Sequence, residues 1–188
     1  MTAYADIAVA LLAAGRGVRF GSDKLLAEFE GEPLGLKAAR TLIDLPFACH
    51  IAVCRSDSEL AGYYENLGFH IVANGEPEQG QAHSLHLAVE AATATKARAL
   101  LVTLADMPSV TPAHLAAMIV AYDGTTTAST NGSAPMPPSI FPRETWPELL
   151  ATSGDVGARA LLKAANHVAA PEGELRDIDT PADLLASK

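Results

Sequence analysis

Three glycines within seven residues, Gly15, Gly17 and Gly21, alternate with Arg16 and Arg19 and are followed by Lys24. Glycine tolerates positive φ and lets backbone N–H groups turn toward a ligand, so such a run can form an anion nest. The guanidinium and ammonium groups add charge where a polyphosphate would lie. Two familiar phosphate loops are excluded by spacing. A Gly-x-Gly-x-x-Gly loop would need glycine where Phe20 stands, and a Gly-x-x-x-x-Gly-Lys loop would need lysine directly after Gly21.

Carboxylates and a second anion-friendly segment lie elsewhere in the chain. Asp106 follows the apolar run Leu100 to Leu104, where a carboxylate serves no packing purpose. It is a candidate ligand for a hard cation such as Mg²⁺, which takes one or two protein carboxylates together with phosphates and water. Gly80-Gln81-Ala82-His83-Ser84-Leu85 opens a helix, whose free N–H groups favour an anion or a polar base edge. Asp177 and Asp179 flank Ile178. On a strand the two would share one face, and Asp179 could equally cap the helix after Pro181. Gly154 and Gly157 allow a tight turn between Asp155 and Arg159.

The run Leu12-Ala13-Ala14-Gly15-Arg16-Gly17-Val18-Arg19-Phe20-Gly21-Ser22-Asp23-Lys24 resembles the signature Leu-x-Ala-Gly-x-Gly-x-Arg-x-Gly-x-x-Lys of the Mg-dependent nucleotidyltransferases. Asp106-Met107-Pro108 resembles their Asp-x-Pro segment, with Ala105 where glycine is more usual. Gly80 and Ser84 match a Gly-x-x-x-Ser-Leu segment, and Asp177-Ile178-Asp179-Thr180-Pro181 matches the family ending. Gly154-Asp155-x-Gly157-Ala158-Arg159 is similar to the acceptor side of the molybdenum cofactor cytidylyltransferases. The resemblance runs from Ile7 to Leu185.

The resemblance implies a three-layer, Rossmann-like α/β nucleotidyltransferase fold (glycosyltransferase-A-like) with a mainly parallel central sheet. It implies an enzyme that transfers CMP from CTP to the molybdopterin-bound molybdenum cofactor and releases pyrophosphate. By the same resemblance Leu12, Ala13, Ala14, Gly15, Arg16, Gly17, Lys24, Gly80 and Ser84 bind the nucleotide. Lys24, Arg19 and Asp106 are catalytic, Asp106 and Asp179 hold Mg²⁺, and Asp155 and Arg159 bind the acceptor. Ala14 stands where guanylyl members tend to have glycine, which favours CTP over GTP by the small margin of one methyl group. Met136-Pro137-Pro138 departs from the Gly-His-Pro of many members and leaves the acceptor open. A guanylyltransferase of the same family, a sugar- or alcohol-phosphate nucleotidyltransferase and a non-catalytic cofactor chaperone are the alternatives. A recipient molybdoenzyme is compatible with the cytidylyltransferase and with the chaperone.

These groups need a scaffold. The 188 residues suit one domain, 1–188, and a content of 49% hydrophobic against 19% charged residues is that of a globular chain. A net charge of −9 argues against a nucleic-acid partner. No apolar run is long enough for a membrane, and the N-terminus lacks a basic leader, so a cytoplasmic location is expected. Cys49 and Cys54 would point to opposite faces of one strand, and no disulfide between them is expected.

Ile7 to Ala13 reads as a buried parallel strand. Further strands are expected at Ile51–Cys54, 69–73, 98–104 and Leu175–Ile178. Helices are expected from 32 to 43, from a Ser56 cap to Leu67, and over 79–93, 111–122, 145–151 and 156–165, with a last one from Thr180. Pro137 and Pro138 mark Met136 to Phe141 as an edge or irregular strand. Asn131-Gly132-Ser133 reads as a turn. The alternation implies right-handed crossovers, with the glycine loop and Asp106 meeting beyond the carboxyl ends of the strands.

Overall fold

The computed structural model describes residues 3–15, 20–21, 23–151 and 159–186, with residues 159 and 160 as backbone only. The first strand, β1 (Ile7–Ala13), is buried along its whole length. The reason is its place between two parallel neighbours, β4 (Cys49–Arg55) and β6 (Ala99–Leu104). Both of its faces are covered. Ile7, Val9 and Leu11 pack with α1 (Leu34–Ile43), α2 (Leu60–Leu67) and α4 (Pro112–Ala121), while Ala8, Ala10 and Leu12 pack with α3 (Gln81–Thr93) and α5 (Trp146–Leu150). Each leucine buried in this way stabilises the fold by about 1.5–3 kcal/mol.

Among the described residues the sheet has seven strands in the order β5-β4-β1-β6-β8-β7-β9. The added strands are β5 (His70–Asn74), β7 (Thr127–Thr130), β8 (Pro135–Pro142) and β9 (Asn166–Ala169). Only β8 runs antiparallel to its neighbours, so the sheet is mainly parallel as expected. A separate hairpin joins β2 (Glu28–Phe29) to β3 (Glu32–Pro33). Its turn residues Glu30 and Gly31 both have positive φ, the geometry of a type I′ turn. A short helix α6 (Arg159–Lys163) and the terminal α7 (Pro181–Ala186) complete the element order. No helix among the described residues is long and apolar enough to cross a membrane.

Several expectations hold closely. Gly68 caps α2 at φ +104°, Thr111 accepts the N–H of His114 at the start of α4, and Asn131 closes its turn by accepting the N–H of Ser133. Cys49 and Cys54 are free thiols that join opposite core faces of β4.

Others are corrected. Of the two alternatives for Met136 to Phe141, the irregular strand holds and the edge does not, since the strand at Pro135–Pro142 lies inside the sheet. The pairing with β7 jumps from Ser139 to Met136, so Pro137 and Pro138 sit in a bulge where the ladder needs no N–H from them. Ser56 does not cap α2. The chain first turns, with Ser58 N–H bonded to the Arg55 carbonyl, and Ser58 Oγ accepts the N–H of Leu60. Leu175–Ile178 is not a strand, because successive turns after Pro171 use its backbone groups. The strand in this region is β9, which pairs with β7.

Candidate active site

The carboxyl ends of β1 and β6 are in register, Leu12 opposite Leu104, and the Ala105 N–H donates to the Leu12 carbonyl at 3.0 Å. The segment Ala13–Gly15 and the carboxylate of Asp106 therefore leave the sheet side by side. The C-terminal segment joins them, since the Ile178 N–H donates to the Asp106 carbonyl at 2.9 Å. Ile178 is buried with Phe29 and Leu34, which leaves its neighbours Asp177 and Asp179 on the outer side. Thr180, not Asp179, accepts the Asp183 N–H at the start of α7.

Lys24 enters from the other direction. It opens a single 3₁₀ turn, Lys24–Leu26, capped by Asp23, which accepts the Leu25 N–H at 3.1 Å. The Lys24 Nζ donates to Asp106 Oδ2 at 2.6 Å and to Asp179 Oδ1 at 2.9 Å. Its side chain is only 8% exposed, against 18% and 28% for the two aspartates. Residues 82 and 155 positions apart in sequence are brought to one point.

The electrostatics of this point are those of a cation-seeking site. Burial disfavours the Lys24 ammonium, but Asp106 and Asp179 outweigh it and raise the lysine above its ordinary range. Burial also raises the Asp106 carboxyl, with Asp177 adding to it and Lys24 opposing. Both shifts come from burial acting together with the contacts between the Lys24 ammonium and the two aspartates. Asp106 Oδ1 is buried and has no hydrogen-bond partner among the described residues. Among those residues no group of three or more His, Cys, Asp or Glu side chains is placed to hold a metal ion. Two carboxylates with an orphaned oxygen are what a cation completed by phosphate oxygens and water requires.

The other expected site residues are placed as follows. Leu12, Ala13 and Ala14 are buried at the end of β1, and a Cβ on Gly15 would meet nothing within 4 Å. Arg16, Gly17, Arg19 and Asp155 lie outside the described residues, as does the side chain of Arg159. Gly80, at φ +82°, is the N-cap of α3. Ser84 is buried, and its Oγ accepts from Asn74 Nδ2 at 2.9 Å.

A cavity of about 400 Å³ opens next to Leu12 and Leu104, the residues that precede the glycine loop and Asp106. Leu85, Met136, Phe141 and Leu162 belong to its apolar wall, and Gln81, Ser139 and Lys163 are polar residues that line it. Helix α6 reaches the cavity through Leu162 and Lys163.

Three residues at this end of the sheet escaped the sequence reading: Asp23, Arg55 and Asn74. Arg55 ends the buried strand β4, which is the signal that singled out Asp106, whereas β5, which Asn74 ends, is partly exposed and gives no such signal.

A family model described as the MobA-like NTP transferase domain matches residues 9–169. The purine catabolism protein PucB of Bacillus subtilis (strain 168) is 30% identical over 188 residues, covering 92% of this chain and 91% of that protein. The crystal structure of Rv0371c from Mycobacterium tuberculosis H37Rv has a TM-score of 0.82 at 24% identity, covering 100% of this chain and 98% of that one. The structure of Rv0371C in complex with manganese gives 0.78 at 21% identity, covering 97% of each chain. The two structures share the fold.

Proposed function

The chain belongs to the MobA-like NTP transferase family, and within it we propose a cytidylyltransferase that moves CMP from CTP to the molybdopterin-bound molybdenum cofactor. The observation that carries this reading is the Lys24 ammonium bonded to both Asp106 and Asp179 where β1 and β6 end. An oxygen of the acceptor's terminal phosphate attacks the α-phosphorus of CTP, the bond from that phosphorus to the β-phosphate oxygen breaks, and pyrophosphate leaves. No protein nucleophile is needed. The chain's task is positioning and charge stabilisation.

Asp106 and Asp179 would hold one Mg²⁺, and the orphaned Asp106 Oδ1 fits a cation. Bound there, the cation neutralises the triphosphate and polarises the α-phosphate. The manganese in Rv0371C supports a divalent metal in the fold. Leu12 to Gly15, Arg16 and Gly17 cradle the triphosphate, and Lys24 and Arg19 meet charge developing on the departing phosphates. Gly80 offers the α3 amino terminus to the base and ribose, and Asn74 locks Ser84 beside it. Ala14 favours the smaller pyrimidine.

The acceptor body occupies the apolar cavity, with Gln81 and Lys163 for its polar edge and phosphate, and Asp155 and Arg159 completing the site. A flat conjugated ring suits such walls. A sugar would bury more hydroxyl groups there than Gln81, Ser139 and Lys163 can partner, at about 1–3 kcal/mol for each left over. Cytoplasmic synthesis followed by delivery to a recipient molybdoenzyme completes the reading.

The test is pyrophosphate release with Mg²⁺ and each of the four nucleoside triphosphates, with and without molybdenum-loaded molybdopterin. Release confined to CTP plus cofactor is expected. Release with GTP instead moves the assignment to guanylyl transfer, and release only with sugar or alcohol phosphates removes the pterin acceptor.

A further inference from the structure

We infer that Arg55 is a positioning residue for Lys24, acting through Asp23. The inference rests on the nucleotidyl-transfer reading above and adds a residue to it. Lys24 sits in a single 3₁₀ turn held by two backbone bonds, Leu26 N–H to the Asp23 carbonyl and Ala27 N–H to the Lys24 carbonyl, both 3.1 Å. So short a turn does not fix its own orientation. Asp23 supplies what is missing. Its Oδ1 accepts the Leu25 N–H inside the turn, and its Oδ2 accepts Arg55 Nη2 at 3.0 Å.

Arg55 is anchored well enough to serve. It is the last residue of β4, paired in register with Asn74 of β5, and the next residue, Ser56, donates its N–H to the Asn74 carbonyl. Its Nε donates to Asp57 Oδ1 at 2.9 Å, so the guanidinium fork is spanned by two carboxylates. Asp57 is 81% exposed and adds little, whereas Asp23 is 18% exposed. The planar fork allows Nε and Nη2 to serve different partners at once, which a lysine ammonium in the same place does less rigidly.

Arg55 also settles a competition. Asp23 adjoins Lys24, and without Arg55 its carboxylate would be an unpaired negative charge beside the lysine turn. It would draw the ammonium from Asp106 and Asp179. With Arg55 present, Asp57, Arg55, Asp23, Lys24 and the Asp106–Asp179 pair alternate in sign. A direct phosphate contact by Arg55 is disfavoured. Its guanidinium already faces two carboxylates, and the cavity of about 450 Å³ that it lines also carries Asp57 and Glu78.

The experiment measures CTP-dependent pyrophosphate release by wild type, Arg55→Gln, Arg55→Lys, Lys24→Ala and Arg55→Gln/Lys24→Ala, with melting temperatures as the check on folding. Arg55→Gln is expected to lower kcat about tenfold, or ~1.4 kcal/mol of barrier, with KM for CTP nearly unchanged. Arg55→Lys should recover part of the loss. In the Lys24→Ala background Arg55→Gln should add nothing further, because the residue it acts through is gone. Full additivity in that background, or a rise in KM without a fall in kcat, overturns the inference.

A second readout is the rate of amine labelling at Lys24, followed by mass spectrometry. Arg55→Gln should speed it several-fold, and an unchanged rate overturns the inference. If the wild type releases no pyrophosphate with any acceptor, the nucleotidyl-transfer reading has failed. The labelling result then decides the Arg55–Asp23–Lys24 coupling by itself.

Discussion

Lys24 neutralises two carboxylates that the proposed mechanism assigns to a divalent cation, so ammonium and metal draw on the same negative charge. Removing the ammonium leaves Asp106 and Asp179 without the charge they share. Breaking a buried pair by deleting one partner costs roughly 3–5 kcal/mol. The solvent retained by Asp179, 28% exposed, brings the expected loss below that range. Lys24→Met is therefore expected to melt at a lower temperature than the wild type. Mn²⁺ should recover more stability in the variant than it adds to the wild type, since a ligand stabilises in proportion to its binding of the folded state. Thermal melts with and without Mn²⁺ check this, and an equal or smaller Mn²⁺ response in Lys24→Met contradicts it. At this scale the sequence was legible wherever a residue's type made no sense for packing. Asp106 after an apolar strand is such a case. The partnership of Lys24 with both aspartates was not legible, because nothing local encodes a contact across 155 positions.

Helix α1 carries the turn that presents Lys24, and Gly35 is where α1 meets α2 and that turn. A Cβ there would lie 2.7 Å from Leu60 Cδ1, 2.7 Å from Tyr64 Oη and 3.1 Å from Leu25 Cβ. Tyr64 Oη also donates to the Gly35 carbonyl at 2.9 Å, so the phenol cannot withdraw freely. Gly35→Ala is expected to cost about 1–3 kcal/mol by overpacking, read as a lower urea midpoint. An unchanged midpoint would mean that α2 gives way without cost. Elements with a local code were legible: the apolar run of β1, the Thr111-Pro112 start of α4, and the Gly68 stop of α2. The irregularity of β8 was legible in Pro137 and Pro138 but its interior place was not, because prolines argue against an interior strand unless a bulge removes the need for their N–H groups. That bulge is set by the partner β7, whose identity no local pattern announces. Strand β9, mostly exposed at the sheet margin, lacks the apolar run that marks a buried strand.

The molecule as a whole draws its candidate site from three distant parts of the chain. Lys24 follows β1, Asp106 follows β6, and Asp179 comes from a C-terminal segment beyond the residues 9–169 matched by the family model. That segment is fastened by Ile178, packed with Phe29 and Leu34, and by its backbone bond to Asp106. The parallel sheet explains why the first two parts meet, because strands that run the same way end at the same edge. The proposed acceptor would bind in the cavity beside them.

The most direct measurement is transfer of label from α-phosphate-labelled CTP to molybdenum-loaded molybdopterin in the presence of Mg²⁺, by wild type and by Asp179→Asn. The account predicts a labelled dinucleotide product from the wild type and a loss of about a hundredfold or more in the variant. Undiminished transfer by Asp179→Asn, or no transfer by the folded wild type, would contradict it.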